Sequence, residues 1–179
     1  MADGNTFEGD DLDVTTTTQA DTSPLGLLRA RRDQVRANLH IDLDVPRYDP
    51  PIVVRFQPVP LAEIEAFNRR YAKEKNGSVL ANAAVLAKAC VAVMEYDPDG
   101  GTDDEGNPLK VSLDPEDRDG VLQFGPRLAE LLGSPMAKKA VHVVQALYAT
   151  DGDITSTADK LAEFSGYTGQ RTESEFEGN

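Results

Sequence analysis

The sequence predicts a mainly α-helical fold with a small β element, in which two short strands precede a helical bundle. Apolar residues recur at helical spacing through most of the second half of the chain. A continuous apolar run at 79–94 contains six alanines, which allow neighbouring helices to approach closely, so we place it at the centre of the bundle. Strong strand patterns occur at 40–45 and 52–59.

Composition and periodicity predict one domain with two tails. The chain has 179 residues, of which 40% are hydrophobic, enough for one modest core. We place this single α-rich domain at 23–165, with an acidic loop at 97–108. Residues 1–22 and 166–179 are acidic, polar and without periodicity, so both are predicted to be disordered tails.

Capping and branching patterns predict the elements of the first half. Ser23 and Pro24 indicate a helix start, because serine caps a helix and proline suits its first turn. Residues 40–45 alternate apolar and polar side chains, and residues 52–59 are β-branched, so each predicts a strand. Pro60 opens the next helix.

That helix, at 61–75, has an apolar stripe at helical spacing. Asn76 and Gly77 indicate its end, and Ser78 is the expected cap of the central helix at 79–94. The stripe consists of Leu61, Ile64, Phe67 and Tyr71.

A hairpin and three more helices are predicted in the second half. Tyr96 enters the acidic loop and residues 109–113 leave it, so these flanks can pair as a short hairpin. Residues 121–125 suggest a brief strand or an extended segment. The helices are expected at 126–132, at 136–149 after a Ser-Pro start, and at about 153–164.

The loop DPDGGTDDEGNP at 97–108 only superficially resembles a calcium loop. The helix–loop–helix template needs an oxygen ligand at position five, a glycine at six and a glutamate at twelve. Those positions hold Gly101, Thr102 and Pro108, so we predict a solvated loop at a hairpin tip. The acids within 150–157 are expected to begin a helix instead.

The net charge of −13 is carried by three segments, 1–23, 97–107 and 165–179, which sum to −6, −5 and −2. The balanced remainder argues against nucleic acid as the main partner. Four arginines between residues 29 and 36 are interpreted as a solvated face, since no aromatic residue lies among them to stack on bases. No membrane partner is predicted, because the apolar run at 79–94 is too short to span a bilayer.

The acidic, polar N-terminus predicts no signal peptide, and a single cysteine, Cys90, suits a reducing compartment. His40 and His142 lack cysteine or acidic partners at metal-ligand spacing, and Glu63 and Glu65 face different sides of their helix. The sequence therefore predicts no enzyme, no cofactor and no metal site.

Four stretches resemble one protein family over residues 40–179. The first two are IVVRFQPVPLAEIEAFNRRYAK and VLANAAVLAKACVAVME. The third consists of DRDGVLQFGPRLAELLG followed by MAKKAVHVVQALYATDGDITSTADKLAEFSGY, and the fourth is the C-terminal segment ESEFEGN. Together they resemble the tail assembly chaperones of phages with long, non-contractile tails (siphoviruses), especially those of actinobacterial hosts. The likeness lies in the pattern of elements rather than in a sharp motif.

The resemblance implies a function. Members of this family bind the tape-measure protein, a long apolar helical chain, and keep it soluble while tail tube subunits polymerise around it. The resemblance also implies the host cell cytoplasm as location, absence from the mature virion, and a longer form of the same protein made by ribosomal frameshifting. The tail tube protein, that longer form and a second copy of the chain are further candidate partners.

An amphipathic helical client needs an apolar face on its chaperone. Our hypothesis is that the helices at 61–75 and 136–149 supply this face. The acidic tail, with Phe176 as its anchor, is expected to bind weakly to a partner or to a second copy of the chain. The alternative is that both stripes are used wholly in folding. The predicted partner-binding residues are Leu61, Ile64, Phe67, Tyr71, Val143, Leu147 and Phe176.

Two functions from other classes remain open. A structural virion protein, such as a head–tail connector or minor tail component, would be recovered from purified particles. An acidic regulator that mimics nucleic acid would need its carboxylates on a rigid surface, whereas most of them lie in the loop and tails.

Overall fold

The computed structural model describes residues 23–167, apart from the side chains of Arg36 and Ala37. The described residues separate into two units at the boundary between Arg36 and Ala37. Helix α1 (Pro24–Asn38) begins as predicted, because the Ser23 hydroxyl accepts a hydrogen bond from the backbone N–H of Gly26 at 3.0 Å. The α1 side chains Leu25, Leu28 and Val35 are exposed.

The second unit is built on a four-stranded antiparallel sheet with the strand order β1-β2-β3-β4. Consecutive strands are neighbours throughout, and β1 pairs with β2 in continuous register. The strands are β1 (Ile41–Val45), β2 (Ile52–Phe56), β3 (Cys90–Tyr96) and β4 (Lys110–Ser112).

The predicted fold class is therefore wrong. The described chain mixes helices with a four-stranded sheet, and it is not a helical bundle preceded by two strands. The error lies in the apolar run at 79–94, which is helical only as far as Ala89 and continues as strand β3 from Cys90. A continuous apolar run does not distinguish a buried helix from a buried strand, and here it contains both.

Five helices of the second unit lie within the described residues. Helix α2 ends four residues earlier than predicted, and α4 and α6 lie close to their predicted positions. The α6 start confirms that the acids near residue 151 begin a helix, with the Thr150 hydroxyl as cap. The helices are α2 (Leu61–Tyr71), α3 (Gly77–Ala89), α4 (Pro126–Leu131), α5 (Ala140–Leu147) and α6 (Asp151–Phe164).

Two predicted helix starts are wrong. The helix expected from residue 136 begins at Ala140, because Lys139 is extended (φ −106°, ψ 140°) and residues 134–138 form turns. The predicted cap Ser78 lies inside α3, which follows Asn76 in a left-handed conformation. Met136, expected in the apolar stripe of the helix, is 82% exposed.

The predicted strands at 40–45 and 52–59 are present as β1 and β2, although β2 ends at Phe56. The predicted hairpin is present as β3 and β4, with the acidic loop at its tip. Residues 121–125 form no strand, but Leu122 lies beside β3, where the Val93 N–H donates to the Leu122 carbonyl at 2.7 Å.

The helices cover one face of the sheet. Alternate residues of β1 and β2, among them Val45, Val54 and Phe56, join the main hydrophobic core, whereas Val53 faces the other way. Helices α3, α5 and α6 supply the opposite half of this core. None of the helices in residues 23–167 is both long enough and apolar enough to cross a bilayer.

Candidate partner-binding surface

Helix α2 lies on the outside of the second unit and packs on α3. None of its eleven residues is buried. Ile64 and Phe67 are partly buried against the core, Tyr71 is partly exposed, and Leu61 is 41% exposed. The predicted stripe is thus intact, and its outer part is accessible to a partner.

The C-terminal end of the described chain holds the start of α2. The backbone N–H of Leu61 donates to the Tyr167 hydroxyl at 2.8 Å, and the N–H of Val59 donates to the Ser165 hydroxyl at 3.3 Å. Both N–H groups lie at a helix start, where no carbonyl of the preceding turn can accept from them. The segment after α6 therefore fixes where α2 begins.

A glycine lets α2 and α3 meet at a tight corner. A Cβ atom at Gly77 would lie 2.1 Å from the backbone oxygen of Tyr71, far inside van der Waals contact. Only glycine fits at this first residue of α3, so Gly77 sets how closely α3 follows the end of α2.

Charge is unevenly distributed along α2. Glu63 near its start contacts Lys88 of α3 at 3.5 Å. Arg69 and Arg70 occupy its last turn, and the Arg70 guanidinium lies 5.5 Å from the ring centre of Tyr71. The apolar stripe therefore runs from an acidic first turn towards a cationic end.

The structure separates the other predicted partner-binding residues from this surface. Val143 and Leu147 are 1% and 0% exposed, so both side chains of α5 are used in the core. Phe176 lies outside the described residues. The candidate surface consequently consists of α2 and the residues around its two ends.

The sheet face that turns away from the helices carries an ion-paired trio. Asp42 of β1 accepts from Arg55 at 2.8 and 2.9 Å and from Lys110 at 2.7 Å. Partial burial raises the pKa of Asp42, but the two cations outweigh this effect and lower that pKa to about 2. Arg55 and Lys110 of this trio line a groove of about 570 Å³, and residues of the acidic loop line the groove as well.

Two aspartates of the acidic loop accept hydrogen bonds from the loop's own backbone. Asp97 accepts from the backbone N–H groups of Asp99 and Gly101, and Asp103 accepts from those of Glu105 and Asn107. The hydrogen bonds from Asn107 lower the pKa of Asp103. Over residues 23–167 no cluster of histidine, cysteine and carboxylate side chains has the size and geometry to hold a metal ion.

Cys90 and the histidines lie apart from α2. Burial raises the pKa of the Cys90 thiol to about 12, so the thiol stays protonated at neutral pH. His40 and His142 are exposed, and the Nδ1 of His40 lies 2.9 Å from the Asn38 carbonyl oxygen.

No protein-family model, no curated protein and no solved structure matches this chain. Its membership of the tail assembly chaperones stays a prediction from the sequence stretches quoted above. The candidate surface on α2 combines an accessible apolar stripe with a cationic C-terminal end, and the start of the helix is held by hydrogen bonds to the segment after α6. Such a surface suits non-covalent recognition of an amphipathic segment.

Two structural contacts were not predicted from the sequence. Tyr167 anchors α2 from more than one hundred positions away, and nothing in the local sequence indicates this contact. Asp42 and Arg55 face each other in the β1–β2 register, so a pairing of the two predicted strands would have placed the opposite charges together.

Proposed function

We propose that the chain is a tail assembly chaperone that binds the tape-measure protein and keeps it soluble during assembly of the tail tube. The proposal places it in the cytoplasm of the infected host cell and outside the finished virion. Its support from the sequence is the resemblance over residues 40–179.

One structural observation carries the binding surface. An eleven-residue helix with an apolar stripe lies on the outside of the unit with no buried residue, and its first stripe residue, Leu61, is 41% exposed. An apolar side of a helical client can cover such a stripe. The net charge of −13 favours dispersion of the resulting complex.

The test is co-expression with the candidate tape-measure protein, measured as its soluble fraction after centrifugation. The wild-type chain should raise that fraction, and Leu61→Glu should reduce the effect because a carboxylate would have to be buried under the client. Val121→Glu is a matched control, since Val121 is 70% exposed and lies outside α2.

An equally insoluble tape-measure protein with and without the chain would contradict the proposal. Equal loss of function in the Leu61 and Val121 variants would contradict the assignment to α2. Recovery of the chain from purified particles at stoichiometric level would favour a head–tail connector or minor tail component instead.

A further inference from the structure

The C-terminal tail starts at the candidate surface. The structure describes the chain as far as Tyr167, whose hydroxyl accepts from the first residue of α2, Leu61, at 2.8 Å. Twelve further residues, 168–179, follow from this point in the sequence. Whatever these residues contact, they leave the folded unit beside the start of α2.

The tail and the far end of α2 have opposite charge. Residues 168–179 contain three glutamates and one arginine, with Phe176 between two of the glutamates. Residues 69–75 contain four cations and one acid. The Arg69 side chain is 72% exposed and lies 3.7 Å from Glu65 in an exposed pair one helical turn apart, which is weak and leaves the guanidinium accessible to a second carboxylate. Exposed charges attract one another over about 8–10 Å at moderate salt, so this attraction does not require a defined pairing.

The distances match. Arg69 lies eight residues along α2 from Leu61, about 12 Å at the rise of an α-helix. Glu173 lies six residues beyond Tyr167 and can reach up to about 20 Å in an extended chain, and Phe176 can reach about 30 Å. The acidic part of the tail can therefore span the apolar stripe and reach the cationic end.

We propose that residues 168–179 dock along α2 of the same chain, with Phe176 against the exposed stripe and the glutamates near the cations of 69–75. The tail then covers the stripe when no client is bound, and a client must displace it. This competition rests on the proposed function, whereas the docking itself does not.

The docking is tested without any client. Amide NMR spectra of the full chain are compared with those of a chain that ends at Tyr167. Resonances of α2 should differ between the two, and the difference should become smaller at 0.5 M salt because salt screens the attraction between the glutamates and the cations. Replacing Glu173, Glu175 and Glu177 with glutamine should shift the full-chain spectrum towards that of the truncated chain.

Charge reversal on the helix side provides a matched pair of variants. Arg69→Glu with Lys73→Glu should abolish the difference between full and truncated chains. Lys138→Glu with Lys139→Glu reverses two exposed cations outside α2 and should leave that difference unchanged. If the resonances that differ between the full and the truncated chain lie only in the last residues of α6, or on another surface such as α1, the docking proposal is wrong. Differences that disappear on dilution would assign the tail to a second copy and overturn it equally.

The competition has a separate measurement. A soluble fragment of the tape-measure protein should bind the truncated chain several-fold more tightly than the full chain. In the full chain, a docked tail lowers the fraction of molecules whose α2 surface is free to bind the fragment. Equal affinity would overturn the competition. A fragment that binds neither chain would count against the proposed function, while the NMR difference on α2 would still support docking.

Discussion

Replacing Asp42 with asparagine tests the electrostatics of the sheet face. The Asp42 side chain is 18% exposed and accepts from Arg55 and Lys110. Its pKa falls from 3.8 to about 2 on folding, and a lowered pKa means that the ionised form stabilises the fold. A shift of this size corresponds to about 2 kcal/mol at neutral pH.

The sign determines the pH range. The stabilisation by Asp42 is fully present above its unfolded pKa of 3.8 and is lost as the pH falls through about 2. Urea unfolding should therefore show Asp42→Asn about 2 kcal/mol less stable than the wild type at pH 7, and only about 1 kcal/mol less stable at pH 3. Far-UV circular dichroism is the appropriate signal, because the chain has no tryptophan.

Asp44→Asn is the matched control. Asp44 lies two residues further along β1, on the same sheet face, and is exposed, so its replacement should change stability by less than about 0.5 kcal/mol. An Asp42→Asn deficit that stays constant between pH 7 and pH 3 would refute the reasoning, since the loss would then not depend on ionisation.

Two further pairs of substitutions test packing and buried polar groups by the same unfolding assay. Gly77→Ala should lower stability by about 1–3 kcal/mol because its Cβ would overlap a backbone oxygen, whereas Gly152→Ala, with 3.6 Å of clearance in α6, should not; equal effects would contradict the close approach. Tyr148→Phe should leave stability unchanged or raise it by up to about 1 kcal/mol, because the buried Tyr148 hydroxyl has no hydrogen bond of normal geometry within residues 23–167. Tyr48→Phe removes a 2.6 Å hydrogen bond to the Leu147 carbonyl and should cost about 1 kcal/mol, so a reversed order of the two tyrosine variants would contradict this assignment.

Local signals in the sequence predicted many of the elements. Alternation located β1, β-branching located β2, and the Thr150 region was correctly expected to begin a helix. These signals succeed because each depends on the residues of one short segment.

The main wrong prediction, a single helix over 79–94, arose because pairing with another segment of the chain decides the structure there. The run at 79–94 carries Lys88 in the last turn of α3 but no glycine, proline or turn residue where α3 becomes β3. The change occurs because Cys90 and the residues after it pair with β2. Tertiary pairing, rather than local preference, determines that boundary.

The candidate site also shows what local signals predict and what only tertiary packing determines. Periodicity located the α2 stripe, but it also suggested Val143 and Leu147, which the core buries completely. An apolar stripe indicates that a helix has a side to cover, and only the assembled fold shows which stripes remain accessible.

The direct junction between α3 and β3 restricts where this chain can change length. Ala89 ends the helix and Cys90 begins the strand, with no residue between them. The pairing of β3 with β2 already shifts by one residue beside this junction, because Arg55 pairs with Ala92 and Phe56 with Cys90. A deleted or inserted residue that this bulge does not absorb would reverse the alternation of β3, turning Val93 out of the core and Met94 into it. Length variation among natural variants should therefore be absent at this junction and concentrate in the acidic loop, whose ends are closed by the hydrogen bond from the Asp97 N–H to the Leu109 carbonyl at 2.9 Å.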